Sequence, residues 1–374
     1  MSASKKIPRI LTFDLMRGFF LIAIIIDHLY FFPNFLDWWG MRGALLVTTA
    51  EGFFMVSGVV LGIVRGAKLN DRSFRDVAKI ILKRAWTLYL THVILVIAFT
   101  LLAWYVFNGN PHIKWGAMTD HSLWQLLWQT FSLQYIYGWA DYLRYYTIFI
   151  ALSPLAMWLL RQGRWYIVLL ISYTIWFLSP IDHSAMEWEL IELLQPIPWQ
   201  AIFFTGLVIG FHWSAISRWF TVHRNTLVQY IVIPIMTLSI GLFVWNVFSV
   251  FAKEFTDAAW ATQLSSAAYS LRSNEFNKES LPLVRFTLFM LWFWTAFLLV
   301  QRFEKPILRY TGWLLLPFGT NSLYVYTLHA VIVYFVHIYL TSGAVYQNFG
   351  VTVAIIAVIY LAIRTKFLMN IIPR

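Results

Sequence analysis

The stretch RGFFLIAIIIDHLYFF, residues 17–32, carries Arg17, Asp27 and His28 in otherwise lipid-like sequence. A neutral imidazole is suited to taking a proton near neutral pH. A carboxylate beside it can orient the ring or stabilise its protonated form. His28 is therefore a candidate general base and Asp27 its candidate partner. Arg17 precedes His28 by eleven residues. At about 100° per residue this is about 20° past three helical turns, so both lie on one face, about 16 Å apart along the axis. Asp14 sits where it can pair with Arg17 at i,i+3, and Asp27 points about a quarter turn from His28. In a blander reading Arg17 snorkels to one interface and His28 meets the opposite headgroups. In the sharper one the stripe faces a polar cavity, because intramembrane charge is costly and usually functional.

Further polar residues interrupt other apolar runs. In TTAEGFFMVSGVVLG, Glu51 and Ser57 break the pattern, and Gly58-x-x-x-Gly62 reads first as a helix-packing motif. In LKRAWTLYLTHV, Lys83 and Arg84 stand at one helix mouth, as topology anchors or as anion ligands, with Tyr89 and His92 deeper on one face. In GTNSLYVYTLHAV, Ser322, Tyr326 and His329 share a face, and His329 suits a structural hydrogen bond as well as a functional one. No nucleophile elbow, phosphate loop, dinucleotide fingerprint or zinc-protease motif occurs. The absence of cysteine excludes disulfides and thiolate chemistry, and the histidines lack carboxylates at ligand spacing, so no metal site is expected.

Elements that position such residues must lie in a bilayer. The chain has 374 residues, 60% hydrophobic and 12% charged, with mean hydropathy +0.66. That is an all-α polytopic membrane composition. Its 20 Trp and 19 Tyr suit membrane interfaces. The net charge of +11 is explained by positive-inside loops, so no nucleic-acid partner is expected. Ten spans are expected, at 13–32, 43–64, 80–107, 143–160, 165–180, 197–213, 226–250, 283–301, 316–339 and 349–368. With both termini cytoplasmic, most Lys and Arg fall inside, while IDHSAMEWELIE is an acidic outer stretch. The basic N-terminus reads as retained rather than as a cleaved signal. Two outer connections are long, 108–142 and 251–282, and residues 121–139 read as an interfacial helix. Residues 1–374 read as a single membrane domain.

These motifs resemble those of acyltransferase-3 membrane proteins: an Arg-Gly opening the first helix, a His eleven residues after that Arg, FFMVSG, and the basic LKRAWTLY. The closer resemblance is to OpgC-type proteins, the branch linked to succinylation of osmoregulated periplasmic glucans. It is carried in order by EGFFMVSGVVLGIVRG, KRAWTLYLTHV, DYLRYYTIFIALSPLAMWLLRQGRWYIVLLIS, PIPWQAIFFTGLVIG and FGTNSLYVYTLHAV. The first helix opens FDLMRG where the family has a form closer to LDGLRG. The resemblance implies a ten-helix enzyme of the bacterial cytoplasmic membrane. It would move a succinyl or acetyl group from cytoplasmic acyl-CoA, a co-substrate rather than a bound cofactor, to a carbohydrate or glycolipid hydroxyl. By that resemblance His28 matches the family's essential His, Arg17 its first-helix Arg and Arg84 its third-helix Arg, and Ser57 and Gly58 match the "SG" pair. Arg17, Lys83 and Arg84 suit the CoA phosphates. Tyr89, Ser57 or Asn321 are candidate oxyanion donors, and an acyl-His28 intermediate is an alternative to direct transfer. Glu51, His92, Asp141, Arg144, Asn321 and His329 are the expected substrate contacts, with Asp141 and Arg144 in or beside an outer connection. Three rival readings use the same residues or none: a proton-coupled transporter or flippase, an intramembrane acyltransferase of another fold, and a non-catalytic scaffold.

Overall fold

The structure is a computed structural model that describes residues 10–40, 44–108, 110, 121–179, 197–256 and 258–372. The basic start of the chain, the acidic stretch 181–192 and Arg374 lie outside the described residues. All described regular structure is helical, and several apolar helices mark a membrane protein.

Helix α1 spans Leu11–Leu29, and a short α2 follows at Asp37–Gly40. Helix α3, Thr49–Leu61, widens into a π-turn over Gly62–Ala67. Helix α4 runs Phe74–Tyr105, starting on the Ser73 side chain, which accepts from the Asp76 N–H. Its 32 residues make about 48 Å, more than a hydrocarbon core requires, so its charged first turns project beyond the apolar slab. Helix α5 covers Leu123–Phe131, α6 Asp141–Arg161 and α7 Trp165–Leu178. Helix α8, Gln200–Phe211, turns by 83° into α9, Trp213–Val222. Helix α10, Arg224–Leu227, continues through a π-turn at Val228–Val232 into α11, Ile233–Phe255. Helix α12 covers Ala259–Ser270, α13 Leu283–Arg302, α14 Glu304–Tyr310 and α15 Gly312–Thr320. Helix α16 is Ser322–Tyr339 and α17 is Val345–Thr365.

Among the described residues, seven helices can cross a membrane by length and composition, or eight if α8–α9 is one bent span. Three of the ten expected spans account for the difference. Helix α1 has the length, 19 residues, but its Asp14, Arg17 and Asp27 dilute its apolar character. Helix α7 has only 14 residues, and α8 ends at the sharp bend. The expected span 316–339 breaks between Thr320 and Ser322, where Asn321 leaves helical geometry. The expected interfacial helix 121–139 is helical only over α5, where Trp124 and Trp128 are exposed. Leu133 and Gly138 then take positive φ and end it.

Small residues set the closest approaches. Gly58 and Gly62 of α3 face Gly206 and Gly210 of α8, and a Cβ on any of them would run into the partner's backbone. The Gly-x-x-x-Gly pattern is thus a packing device on both helices. Gly18 and Gly319 do the same between α1 and α15. Helix α1 is therefore enclosed, with most of its residues buried among α3, α13, α15 and α16. That enclosure is what keeps its polar residues away from lipid.

Candidate active site

Helix α1 stops at Tyr30, which takes a left-handed conformation (φ 52°) with its N–H on the Asp27 carbonyl. His28 therefore stands in the last turn, where the chain leaves the bundle. Its Nδ1 lies 3.2 Å from Nε2 of His329 on α16. The opposite contact is Trp139, stacked on the His28 ring at 4.3 Å and 24°. His329 is 1% exposed, so the pair is half open at His28 and closed at His329. At this separation one ring can donate to the other, and the tautomers decide which. If His28 donates from Nδ1 to His329, its Nε2 is left unprotonated and able to accept.

The start of α6 forms the surrounding wall. The Tyr326 hydroxyl lies 2.9 Å from the Trp139 carbonyl and 3.2 Å from Oδ1 of Asp141, and donates into this pair of acceptors. Tyr142 lies 6.4 Å from the His28 ring and stacks on Phe54 of α3 at 5.2 Å. Arg144, one turn beyond Asp141, is fully buried and donates to the Leu133 carbonyl at 3.3 Å. Asp27, half-buried, acts electrostatically on Tyr142. Thus His28, Asp27, Asp141 and His329, spread over three helices, converge on one aromatic-walled site, with Arg144 beside it.

At the other end of α1, Arg17 lines a cavity of about 340 Å³ with Asp14, Lys68 and Thr320. Arg84 lines a much tighter gap with Tyr142, Tyr146, Ser322 and Tyr326. That gap holds about 20 Å³, room for about one water. Arg17 and Arg65 both act on Arg84, which puts them within electrostatic reach of it. Tyr142 and Tyr326 belong both to this gap and to the His28 surroundings. Through these two tyrosines a polar seam links the Arg84 gap to the surroundings of His28.

Other expected site residues stand elsewhere. The Tyr89 hydroxyl donates to the Phe131 carbonyl at 2.8 Å and its ring stacks on exposed Trp86, on the α5 side. His92 is fully buried, and its Nδ1 lies 3.1 Å from the Ala140 carbonyl, bracing the start of α6 from behind. Asn321 spends its amide N–H groups on Pro317 and Thr320, stitching the α15–α16 break. Glu51 is fully buried, completes a capping box with Thr48 and accepts from Arg285 Nε at 2.6 Å. Arg285 also donates to the Phe276 carbonyl at 2.6 Å. Ser57 is buried in α3, beside the glycine interface, and Lys83 is exposed. Among the described residues no group of three His, Cys, Asp or Glu is arranged to hold a metal.

Three residues of the site escaped sequence reasoning. Trp139 sits among many aromatics, and nothing marked it beyond its place next to Asp141. Arg65 reads as one more inner-loop cation. Lys278 lies in the long connection after α12, yet its charge acts on both His28 and Asp141, and its Nζ sits 5.8 Å from the Trp199 ring. Trp199 in turn packs edge-on against Phe54.

Neither the curated proteins nor the solved structures contain a match to this chain. A family model does match, over residues 9–370, which takes in α1 with its polar stripe, the α6 wall and the His329 helix. The chain belongs to the OpgC protein family.

Proposed function

We propose that this chain is a glucan-modifying membrane acyltransferase that uses His28 as its base. Membership of the OpgC family suggests that activity class. The donor in this reading is cytoplasmic acyl-CoA carrying a succinyl or acetyl group, and the acceptor is a hydroxyl of a periplasmic or cell-envelope carbohydrate. The membrane is the bacterial cytoplasmic membrane. Ten spans with both termini cytoplasmic fit if α1, α7 and the α8 bend join the seven long helices. The observation that carries the reading is the His28–His329 contact at one end of α1, with an arginine cluster at the other.

The chemistry follows from that polarity. Arg17, Arg65 and Arg84 receive the phosphates of CoA, for which guanidinium is the matched donor. The flexible pantetheine arm follows the seam past Tyr146 and Tyr142 toward His28. There the unprotonated Nε2 accepts the acceptor hydroxyl's proton as the oxygen attacks the thioester carbonyl. Collapse of the tetrahedral species breaks the carbon–sulfur bond, and the proton on His28 passes to the departing sulfur. His329 fixes the tautomer that makes this possible. Asp27, the neighbour of His28 in the last turn of α1, is the carboxylate assigned to stabilise the imidazolium, Asp141 holds Tyr326 in the wall, and Trp139 offers an aromatic face beside the ring.

Acyl-CoA turnover by purified protein tests the reading. Wild type should bind acyl-CoA and transfer or slowly hydrolyse it. His28→Ala should keep binding and lose turnover, and Arg17→Ala should weaken binding. A folded wild type that binds no acyl-CoA of any chain length would sink the donor assignment and favour a proton-coupled transporter instead.

A further inference from the structure

A second recognition surface lies away from His28, at the basic end of the bundle. A groove of about 680 Å³ opens between the α10–α11 span and α13. Its walls are apolar: Val228, Val232 and Ile233 on one side, Leu298 and Leu299 on the other. Its mouth holds two guanidiniums, Arg224 at the start of α10 and Arg302 at the end of α13, with Gln229 between them and the wall. Neither guanidinium has a hydrogen-bond or ion-pair partner among the described residues. The wall bearing Val228 and Val232 is a π-turn, a widened geometry that often marks functional sites.

The surroundings fix the level of this mouth. Helix α9 leaves the direction of α8 by 83°, and Arg224 begins the next span two residues after α9 ends. On α9, Trp219 is half exposed and stacks on His223 at 4.7 Å. A helix turning across the bundle axis, with a Trp and cations, belongs at the membrane–water interface. The groove therefore starts at headgroup depth and continues down an apolar wall. Positive charge at this end satisfies topology wherever it stands. Topology does not require two arginines on one groove.

A soluble anion would satisfy the arginines and leave the wall bare. A zwitterionic lipid would cover the wall but bring its own cation beside the phosphodiester, against two guanidiniums. Charge and apolarity together fit a molecule with a phosphodiester at one end and hydrocarbon at the other. We propose that this groove binds an anionic glycerophospholipid, its phosphate between Arg224 and Arg302 and an acyl chain along the Val228–Val232 wall. The site is independent of the acyl-transfer reading.

Native mass spectrometry of the full chain, with phosphatidylglycerol or phosphatidylcholine of matched tails, tests it. Wild type should retain phosphatidylglycerol about thirtyfold more strongly, the preference two interfacial cations supply. The R224Q/R302Q double variant should retain both lipids alike. Equal retention by wild type, or an undiminished preference in the double variant, would overturn the assignment. A second measurement leaves both arginines intact. The chain has no cysteine, so Gln229→Cys gives a single thiol at the mouth. Maleimide should label it more slowly in phosphatidylglycerol nanodiscs than in phosphatidylcholine ones. Equal rates would refute the lipid. Protection by millimolar inorganic phosphate alone, as strong as that by phosphatidylglycerol, would make it a free-anion site and refute the lipid as well.

Discussion

Replacing His329 by Ala separates a working histidine pair from two histidines that merely touch. The Nδ1–Nε2 contact is 3.2 Å and His329 is 1% exposed. Removing it leaves the inner nitrogen of His28 without its partner in a place water does not easily reach. A buried donor left unpaired costs about 1–3 kcal/mol. If that cost falls on the tautomer needed in the transition state, kcat drops about 5- to 150-fold. Loss of the base itself in His28→Ala should cost more, about 10²- to 10⁴-fold. The KM for acyl-CoA should stay within about twofold in both, because Arg17 lies about 16 Å away along α1. His329→Gln keeps an acceptor near the same position and should recover most of the lost rate. The assay is steady-state acyl transfer in detergent micelles, with direct acyl-CoA binding to verify folding. Full kcat in His329→Ala, or a raised KM at unchanged kcat, would refute the pair as a catalytic unit.

Other perturbations follow the same geometry. Arg17→Ala should weaken acyl-CoA binding about 10- to 100-fold, as loss of a charged hydrogen bond does, with kcat for bound donor nearly unchanged; titration at two salt concentrations checks it. Tyr89→Phe should alter turnover less than about threefold, because its hydroxyl is committed to Phe131; a loss of the size caused by His28→Ala would return it to the site. Glu51→Ala strands Arg285, which is 2% exposed, and should cost about 3–5 kcal/mol, seen as a lowered Tm in detergent. Gly210→Val places a branched side chain against the Val59 backbone and should cost at least as much, by the same thermal assay.

The sequence carried the local part of this site and not its assembly. The Arg17–His28 stripe is a one-helix property, legible from spacing alone, and so is the shared face of Tyr326 and His329. His28 and His329 meet although they are 301 positions apart, and no periodicity encodes that. Glu51 and Arg285 are 234 positions apart, so Glu51 reads as a loose polar residue until its partner appears. Tyr89 and His92 illustrate the converse: they do share a sector of α4, but that sector faces α5 and the back of α6. Asn321 is a candidate oxyanion donor whose amide N–H groups reach Pro317 and Thr320 across a helix break that the run of apolar residues through 316–339 conceals. The packing glycines were legible because Gly-x-x-x-Gly recurs on both α3 and α8.

The gap between Arg84 and Tyr326 has a consequence for the cell that houses the enzyme. A catalyst that takes its donor from one compartment and serves an acceptor in another needs a passage through the bilayer. An open passage would short-circuit the ion gradients across that membrane. At about 20 Å³ the gap has no room for a hydrated ion, and Tyr142, Tyr146 and Tyr326 line it. In the proposed reaction the pantetheine chain, held by its phosphates, would have to part those rings. The donor would then plug the opening it creates, and the membrane would keep its voltage through each turnover.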